Sequence, residues 1–235
     1  MYKIERIAKL LKDAKNLEIT YKKQGADKIH VCISKGNRKI GRVMNVSLMP
    51  VITCANCIEC KFYCYDIKAC IQYTNTVLPA RMRNTVLARD NMKEYFHQID
   101  EACTRRKKNK FFRWHVAGDI LNTEYFENMV EIARKHPDFI FWTYTKNYKV
   151  VNEYCEKYGR SAIPFNLSIM FSEWDGMPLI NPFNFPVFAC KMKNGNKNRT
   201  EESFKGMHKC PGNCDICKEN HRGCPYGEST YADEH

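Results

Sequence analysis

The sequence predicts an α/β protein: a partial (β/α) barrel or mostly parallel sheet, with an N-terminal β-hairpin and a C-terminal cysteine-rich module. Three observations predict it. From residue 111 onward, apolar and aromatic runs alternate with segments of helical period, the pattern of βαβ units. Near the start, two strand-like stretches flank the turn-forming "KGNR". Eight of the thirteen cysteines crowd into two short runs, one of them close to the C-terminus.

The elements follow in order. Ile4, Ile7, Ala8, Leu10, Leu11 and Ala14 recur at helical spacing and predict a helix over 4–14. "KIHVCIS" and "KIGRVMNVSL" read as strands, and Gly36-Asn37 between them suits the tight turn of a hairpin. The first cysteine run comes directly after Pro50. Residues 80–106 read as helical, in one or two pieces, and end in the basic "TRRKKNK". Then "FFRWHVA" is a strand and "TEYFENMVEIARKH" a helix, with Thr123 as N-cap and Phe126, Met129, Val130 and Ala133 on one face. "FIFWTYT" is a strand, "YKVVNEYCEKYG" a helix, and "FNLSIMF" and "FPVFACKM" are strands. The polar "KNGNKNRTEE" leads into the second cysteine run. The expected organisation is an α/β core over 1–200, with its N-terminal helix and hairpin, and a cysteine-rich module over 201–235 packed on it.

A chain of 235 residues buries enough core to fold without disulfides. The charged start "MYKIERIAKLLKDAKNLEITYKK" has no apolar stretch of the kind a signal peptide needs, and no run is long enough to span a membrane. The expected compartment is therefore the cytoplasm, where thiols stay reduced. Lys plus Arg outnumber Asp plus Glu by 38 to 26. That excess suits an anionic partner, a nucleic acid or a nucleotide substrate, although a lysine-rich proteome yields the same balance without one.

The first run is Cys54-x2-Cys57-x2-Cys60-x3-Cys64, the spacing with which bacterial ferredoxins hold iron–sulfur clusters, except that Tyr65 stands where those proteins carry proline. Cys70, six residues on, has no assigned role. The second run is Cys210-x3-Cys214-x2-Cys217-x6-Cys224, with Pro211 and Gly212 making the turn. These eight cysteines are the expected metal ligands, for one or two [4Fe–4S] clusters or, as the alternative metal, zinc. Triads plus one differ from zinc's usual two separated pairs, which favours iron and sulfur. Cys32, Cys103, Cys155 and Cys190 fall within strands or helices and read as small buried apolar residues.

Parallel sheets bind ligands beyond the carboxyl ends of their strands, so the residues there are the other candidates. "HVAGD" places His115 for acid–base chemistry, Gly118 for close approach of a ligand and Asp119 as a hydrogen-bond acceptor. "TYTKN" places Thr145 beside a ligand and Lys146 against a carboxylate or phosphate. His115, Asp119 and Lys146 are the expected catalytic residues and Gly118, Asp119 and Thr145 the expected cofactor-binding ones; Ser172 and Glu173 are weaker candidates.

"TCANCIECKFYCYD", "FFRWHVAGDI", "FIFWTYTKNY", "IPFNLSIMFSEW" and "CPGNCDICKENHRGC", in this order, resemble the phage gene product 88 family from about residue 28 to the C-terminus. A more distant similarity is to radical-SAM-like cysteine-triad phage proteins. Cys210, Cys214 and Cys217 have the x3-x2 spacing of that superfamily, with Cys224 placed to close the site. The first run stands where the superfamily keeps its cluster, after the first strand, but with different spacing. That resemblance implies a [4Fe–4S] cluster that receives an electron from a donor and cleaves S-adenosylmethionine to a 5′-deoxyadenosyl radical, with "HVAGD" against the amino group of S-adenosylmethionine. The expected function is redox or radical-SAM-like chemistry on a nucleotide or nucleic acid. The alternative is a non-enzymatic, zinc-stabilised nucleic-acid-binding protein of a mobile element, carried by "TRRKKNK" and "KMKNGNKNR".

Overall fold

The computed structural model describes residues 3–234, so residues 1, 2 and 235 of the two expected domain ranges lie outside the described residues. Seven strands form one sheet: β1 (Met44–Asn45), β2 (Phe111–Trp114), β3 (Ile140–Thr145), β4 (Leu167–Ser172), β5 (Val187–Lys191), β6 (His208–Lys209) and β7 (Thr230–Asp233). Every adjacent pair is parallel, in the order β1-β2-β3-β4-β5-β7-β6. The helices are α1 (Lys3–Gln24), α2 (Tyr65–Gln72), α3 (Val77–Asp90), α4 (Met92–Arg105), α5 (Thr123–Lys135), α6 (Tyr148–Tyr158) and the short α7 (Cys214–Glu219). None of the described helices is long and apolar enough to cross a membrane.

Strand order that follows chain order through β5, with helices between successive strands as far as β4 and a loop from β4 to β5, is the winding of a (β/α) barrel left open. The alternation along each strand divides the core in two. Phe112, Trp114, Phe141, Leu167, Ile169 and Phe171 point to a large cluster built with α1 to α6. Phe111, Ile140, Trp142, Tyr144 and Met170, on the opposite face, form a smaller cluster with Val43, Phe188, Cys214 and Cys224. The first face is covered by helices and the second by the cysteine-rich end.

The cysteine-rich segment over 201–234 enters the sheet. It supplies β6 and β7, and β7 lies between β5 and β6. Its 3-10 turn Cys224–Tyr226 packs on β3 and β4, with Ser168 Oγ donating to the Pro225 carbonyl at 3.0 Å.

Two local expectations are corrected. The hairpin is reduced to two isolated antiparallel bridges, Ser34 with Asn45 and Asn37 with Gly41. Met44 and Asn45 take a parallel ladder with Phe112 and Arg113 instead, which the sheet extends from one strand to the next. The N-cap of α5 is Asn122, whose extended backbone lets its side chain accept from the Tyr125 N–H at 2.8 Å. Thr123 is already helical. Residues 80–106 resolve into α3 and α4, parted by Asn91, whose side chain caps α4 through the Glu94 N–H.

Candidate functional site

The chain leaving β1 runs beside the chain leaving β2. Leu48 N–H donates to the Ala117 carbonyl at 2.9 Å and Ala117 N–H to Ser47 Oγ at 3.2 Å. Gly118, at φ +81°, lies against this neighbour: a Cβ there would stand 2.6 Å from Leu48 Cβ and 2.7 Å from Thr53 Oγ1. The close approach that Gly118 permits is thus between two segments of the protein.

Asp119 is buried and accepts from Thr145 Oγ1 at 2.6 Å, Ile120 N–H at 2.8 Å and Lys146 N–H at 2.9 Å. Burial pushes its carboxyl up to about 6, while these bonds favour the ionised form. The carboxylate ties the end of β2 to the end of β3. Lys146 Nζ reaches Ser172 Oγ at the end of β4, at 3.1 Å. The Lys146 carbonyl accepts from Asn56 Nδ2, inside the first cysteine run, at 2.7 Å. Asp119, Thr145, Lys146 and Ser172 therefore gather at the carboxyl end of the sheet, under the loop that carries Cys54 to Cys60. Beyond them, Glu173 is paired with Arg199, Oε2 to Nη2 at 2.7 Å.

Within that loop the thiols of Cys54, Cys57 and Cys60 are near enough to shift one another's ionisation, and the Cys57 proton is held the most firmly. That proximity pulls Cys54 and Cys60 toward the thiolate. Cys60 is lowered to about 6, first by Cys57 and then by the Lys146 charge, against burial. Cys64 departs from the trio: it packs on the helix-side core, and burial pushes it up to about 11. Cys70 is sealed in α2 beside Asp66, whose carboxylate is bound by Arg81 Nε and Nη2, both at 3.1 Å. A cavity of about 420 Å³ opens next to Cys54, lined among others by Thr53, Arg89, Leu121, Asn122 and Asn147.

His115 stands apart from this cluster. Its backbone takes φ +53°, and its ring is buried between Thr143 Oγ1 (Nδ1, 3.2 Å) and the Tyr125 hydroxyl (Nε2, 3.0 Å). Tyr125 in turn donates to the Tyr95 hydroxyl at 3.1 Å. Burial, aided by the Arg113 charge, lowers the imidazole to about 3, so it is neutral. The expected acid–base role at the strand ends gives way to a polar link between β2, β3 and the helix layer. Proximity in sequence to a strand end did not reveal the face toward which the ring turns.

The second run forms a separate group on the opposite face. Asn213 caps α7 through the Asp215 N–H at 2.9 Å, and Cys214 N–H donates to the Lys39 carbonyl at 3.2 Å. Cys210 is anchored to β7 by its N–H on the Tyr231 carbonyl at 2.7 Å. Burial raises Cys224 to about 11, with Thr230 and Tyr144 working against it. Cys217 is raised to about 12 by burial, with Cys214, Cys224 and Cys210 all close enough to oppose its ionisation. Its sulfur is 3.7 Å from His208 Nε2, and His208 Nδ1 lies 4.0 Å from Glu228. Gly223, at φ +76°, makes room for both: a Cβ there would be 3.2 Å from the Cys217 sulfur and from His208 Nε2. Arg113 faces the same group, and its charge works against the burial that raises Cys214.

Sequence reasoning missed His208 and Arg113. The signal for His208 was "HKC", a histidine two residues before the run. For Arg113 it was the alternation in "FFRW", which sends Phe112 and Trp114 one way and Arg113 the other.

Among the described residues, no three His, Cys, Asp or Glu side chains are arranged around one point as ligands of a metal ion. The donor types nonetheless suit a thiolate-held metal: two groups of cysteines, each with an adjacent cation, Lys146 in one and Arg113 in the other. No curated protein and no solved structure matches the chain. A family model described as "Gene product 88" matches residues 8–182, a span that includes the first cysteine run and the ends of β1 to β4 and stops before the second run.

Proposed function

Since the chain belongs to the gene product 88 family, a family of phage proteins, we propose that it is an iron–sulfur protein of redox or radical-SAM-like type acting on a nucleotide or nucleic acid. The observation that carries this reading is the place of the loop bearing Cys54, Cys57 and Cys60: Asn56 ties it to the Lys146 carbonyl at the carboxyl end of a parallel sheet, the Lys146 charge acts on Cys60, and Cys64 packs on the core instead. A [4Fe–4S] cluster held by these three cysteines would supply one-electron chemistry and a binding place for S-adenosylmethionine.

The chain's own residues have narrower roles. Cys54, Cys57 and Cys60 would hold the cluster. Lys146 would offer its ammonium to a carboxylate or phosphate lying against Cys60. Asp119, fully engaged by Thr145, Ile120 and Lys146, fixes the two loops rather than reaching for a ligand. The cavity beside Cys54 would take the substrate, with Arg89, Asn122 and Asn147 supplying charge and amides for a nucleotide. The second run would hold a separate, closed metal centre. A reducing cytoplasm and an electron donor belong to this reading.

The test is purification without oxygen after expression with ample iron. Brown protein absorbing broadly near ~400 nm, with iron and acid-labile sulfide, is expected. Cys60→Ala should lose the part of the iron bound at the strand ends, and reduced protein given S-adenosylmethionine should release 5′-deoxyadenosine. Colourless protein with stoichiometric zinc and no sulfide would sink the reading.

A second reading draws on His208 against Cys217, since mixed cysteine–histidine sets with a carboxylate behind the imidazole are characteristic of zinc. On that reading the protein is a zinc-stabilised nucleic-acid binder. Its signature would be affinity for DNA or RNA that falls steeply with salt and needs no reductant.

A further inference from the structure

β2 carries an arginine where a buried strand ordinarily carries none. Arg113 lies between Phe112 and Trp114, both sealed in the helix-side core, and projects to the other face. Its guanidinium carbon sits 4.5 Å from the centre of the Tyr144 ring. Its Nε has no exposed surface and no hydrogen-bond partner. Among the described residues, no carboxylate lies within ion-pair distance of it. The residue as a whole is half-buried; arginine cannot shed its proton, and a cation partly withdrawn from water without a counter-charge carries a desolvation cost.

A second orphan belongs to the same place. Trp142, in register with Arg113 across β2 and β3, is completely buried, and its Nε1 has no partner. Its neighbours in the small cluster are Val43, Met170 and Cys224, with Cys214 packed against them. One face of the sheet thus presents a fixed positive charge and two unpaired N–H donors. What stands opposite is the second cysteine run.

Four neutral thiols would satisfy neither orphan. Four thiolates around one divalent ion carry a net charge of −2, and coordinated sulfur accepts N–H hydrogen bonds well. A cubane cluster bound by four thiolates has the same sign. We propose that Arg113 is the built-in counter-charge, and Trp142 an N–H donor, of an anionic metal–thiolate centre held by Cys210, Cys214, Cys217 and Cys224. This rests on the reading that the second run binds metal. It adds that the sheet itself, and not only the ligand loop, selects for the charged, metal-bound state.

The experiment compares wild type, Arg113→Gln, Arg113→Lys and Cys214→Ala, each metal-loaded and each stripped by a strong chelator under reductant. Chelator competition should show metal held at least about tenfold more weakly in Arg113→Gln, as when an outer-shell partner is lost, and within about threefold of wild type in Arg113→Lys. Urea unfolding should reverse order with loading. Stripped Arg113→Gln should be as stable as stripped wild type or more so, because an unpaired, half-buried charge has gone; loaded, wild type should be the more stable. A purely packing role for Arg113 would weaken both forms alike and overturn the proposal, as would unchanged affinity in Arg113→Gln. Where Arg113→Gln does not accumulate, Arg113→Lys decides: charge retained with binding lost overturns it. If Cys214→Ala keeps all the metal of wild type, the underlying reading falls. If Cys214→Ala loses an equivalent while Arg113→Gln does not loosen it, only the role of Arg113 falls.

Discussion

At His115 the imidazole is locked between Thr143 and Tyr125 in its neutral form. Its folded value, about 3, lies far below the ordinary 6.5, so below pH 6.5 the unfolded chain takes up a proton that the folded chain refuses. The stability this residue contributes is present above pH 6.5 and lost as the pH falls toward 3. Between pH 6.5 and 5 that loss should be about 2 kcal/mol. Urea unfolding at both pH values, in wild type and His115→Gln, should show the difference in slope; equal slopes would contradict it. Gly118 gives a second test. An added methyl would meet Leu48 and Thr53 at a left-handed backbone position, so Gly118→Ala should cost about 2–4 kcal/mol by urea unfolding. Both residues were legible as lying at a strand end, and neither as to what it faces there. A one-dimensional motif gives neither the turn of the backbone at His115 nor the segment pressed against Gly118.

Among the elements, α2 is fastened to α3 by a single buried pair. Asp66 is 2% exposed and is held by two hydrogen bonds from Arg81. Arg81→Ala would leave that carboxylate buried and alone, and should lower stability by about 3–5 kcal/mol, read from the urea midpoint. Replacing Asp66 as well, in Asp66→Asn with Arg81→Ala, should recover part of the loss; no recovery would show that the pair is not coupled. The central strands β2 to β5 and the helices α3 to α6 were readable because apolar period and length agree, as in "FIFWTYT" and "TEYFENMVEIARKH". β1 and β6 have two residues each, too few for any period to register. α2 was hidden because the cysteines of its run drew attention from "YDIKAC", whose buried Asp66, Ile67 and Cys70 lie on one helical face.

On the scale of the molecule, the two cysteine groups lie in different settings: one in the loop above the strand ends, the other spread over the face that the helices leave bare. Cys214→Ala should therefore remove metal and much of the stability, because metal-binding energy is also folding energy. Cys155→Ala, in the helix layer, should cost on the order of 1 kcal/mol and leave metal content unchanged. Metal analysis beside thermal unfolding of the two variants checks both; equal metal in wild type and Cys214→Ala would remove the assignment. Because strands β1 to β5 follow chain order in space, a ribosome lays the sheet down strand by strand, each new one finding its neighbour already made. The cover of the second face emerges only after all of those strands. A nascent chain halted short of Cys214 offers Val43, Trp142 and Met170 to the chaperones as an uncovered apolar strip, so the interval between β5 and the arrival of that cover, rather than the pairing of the first strands, is its most vulnerable moment.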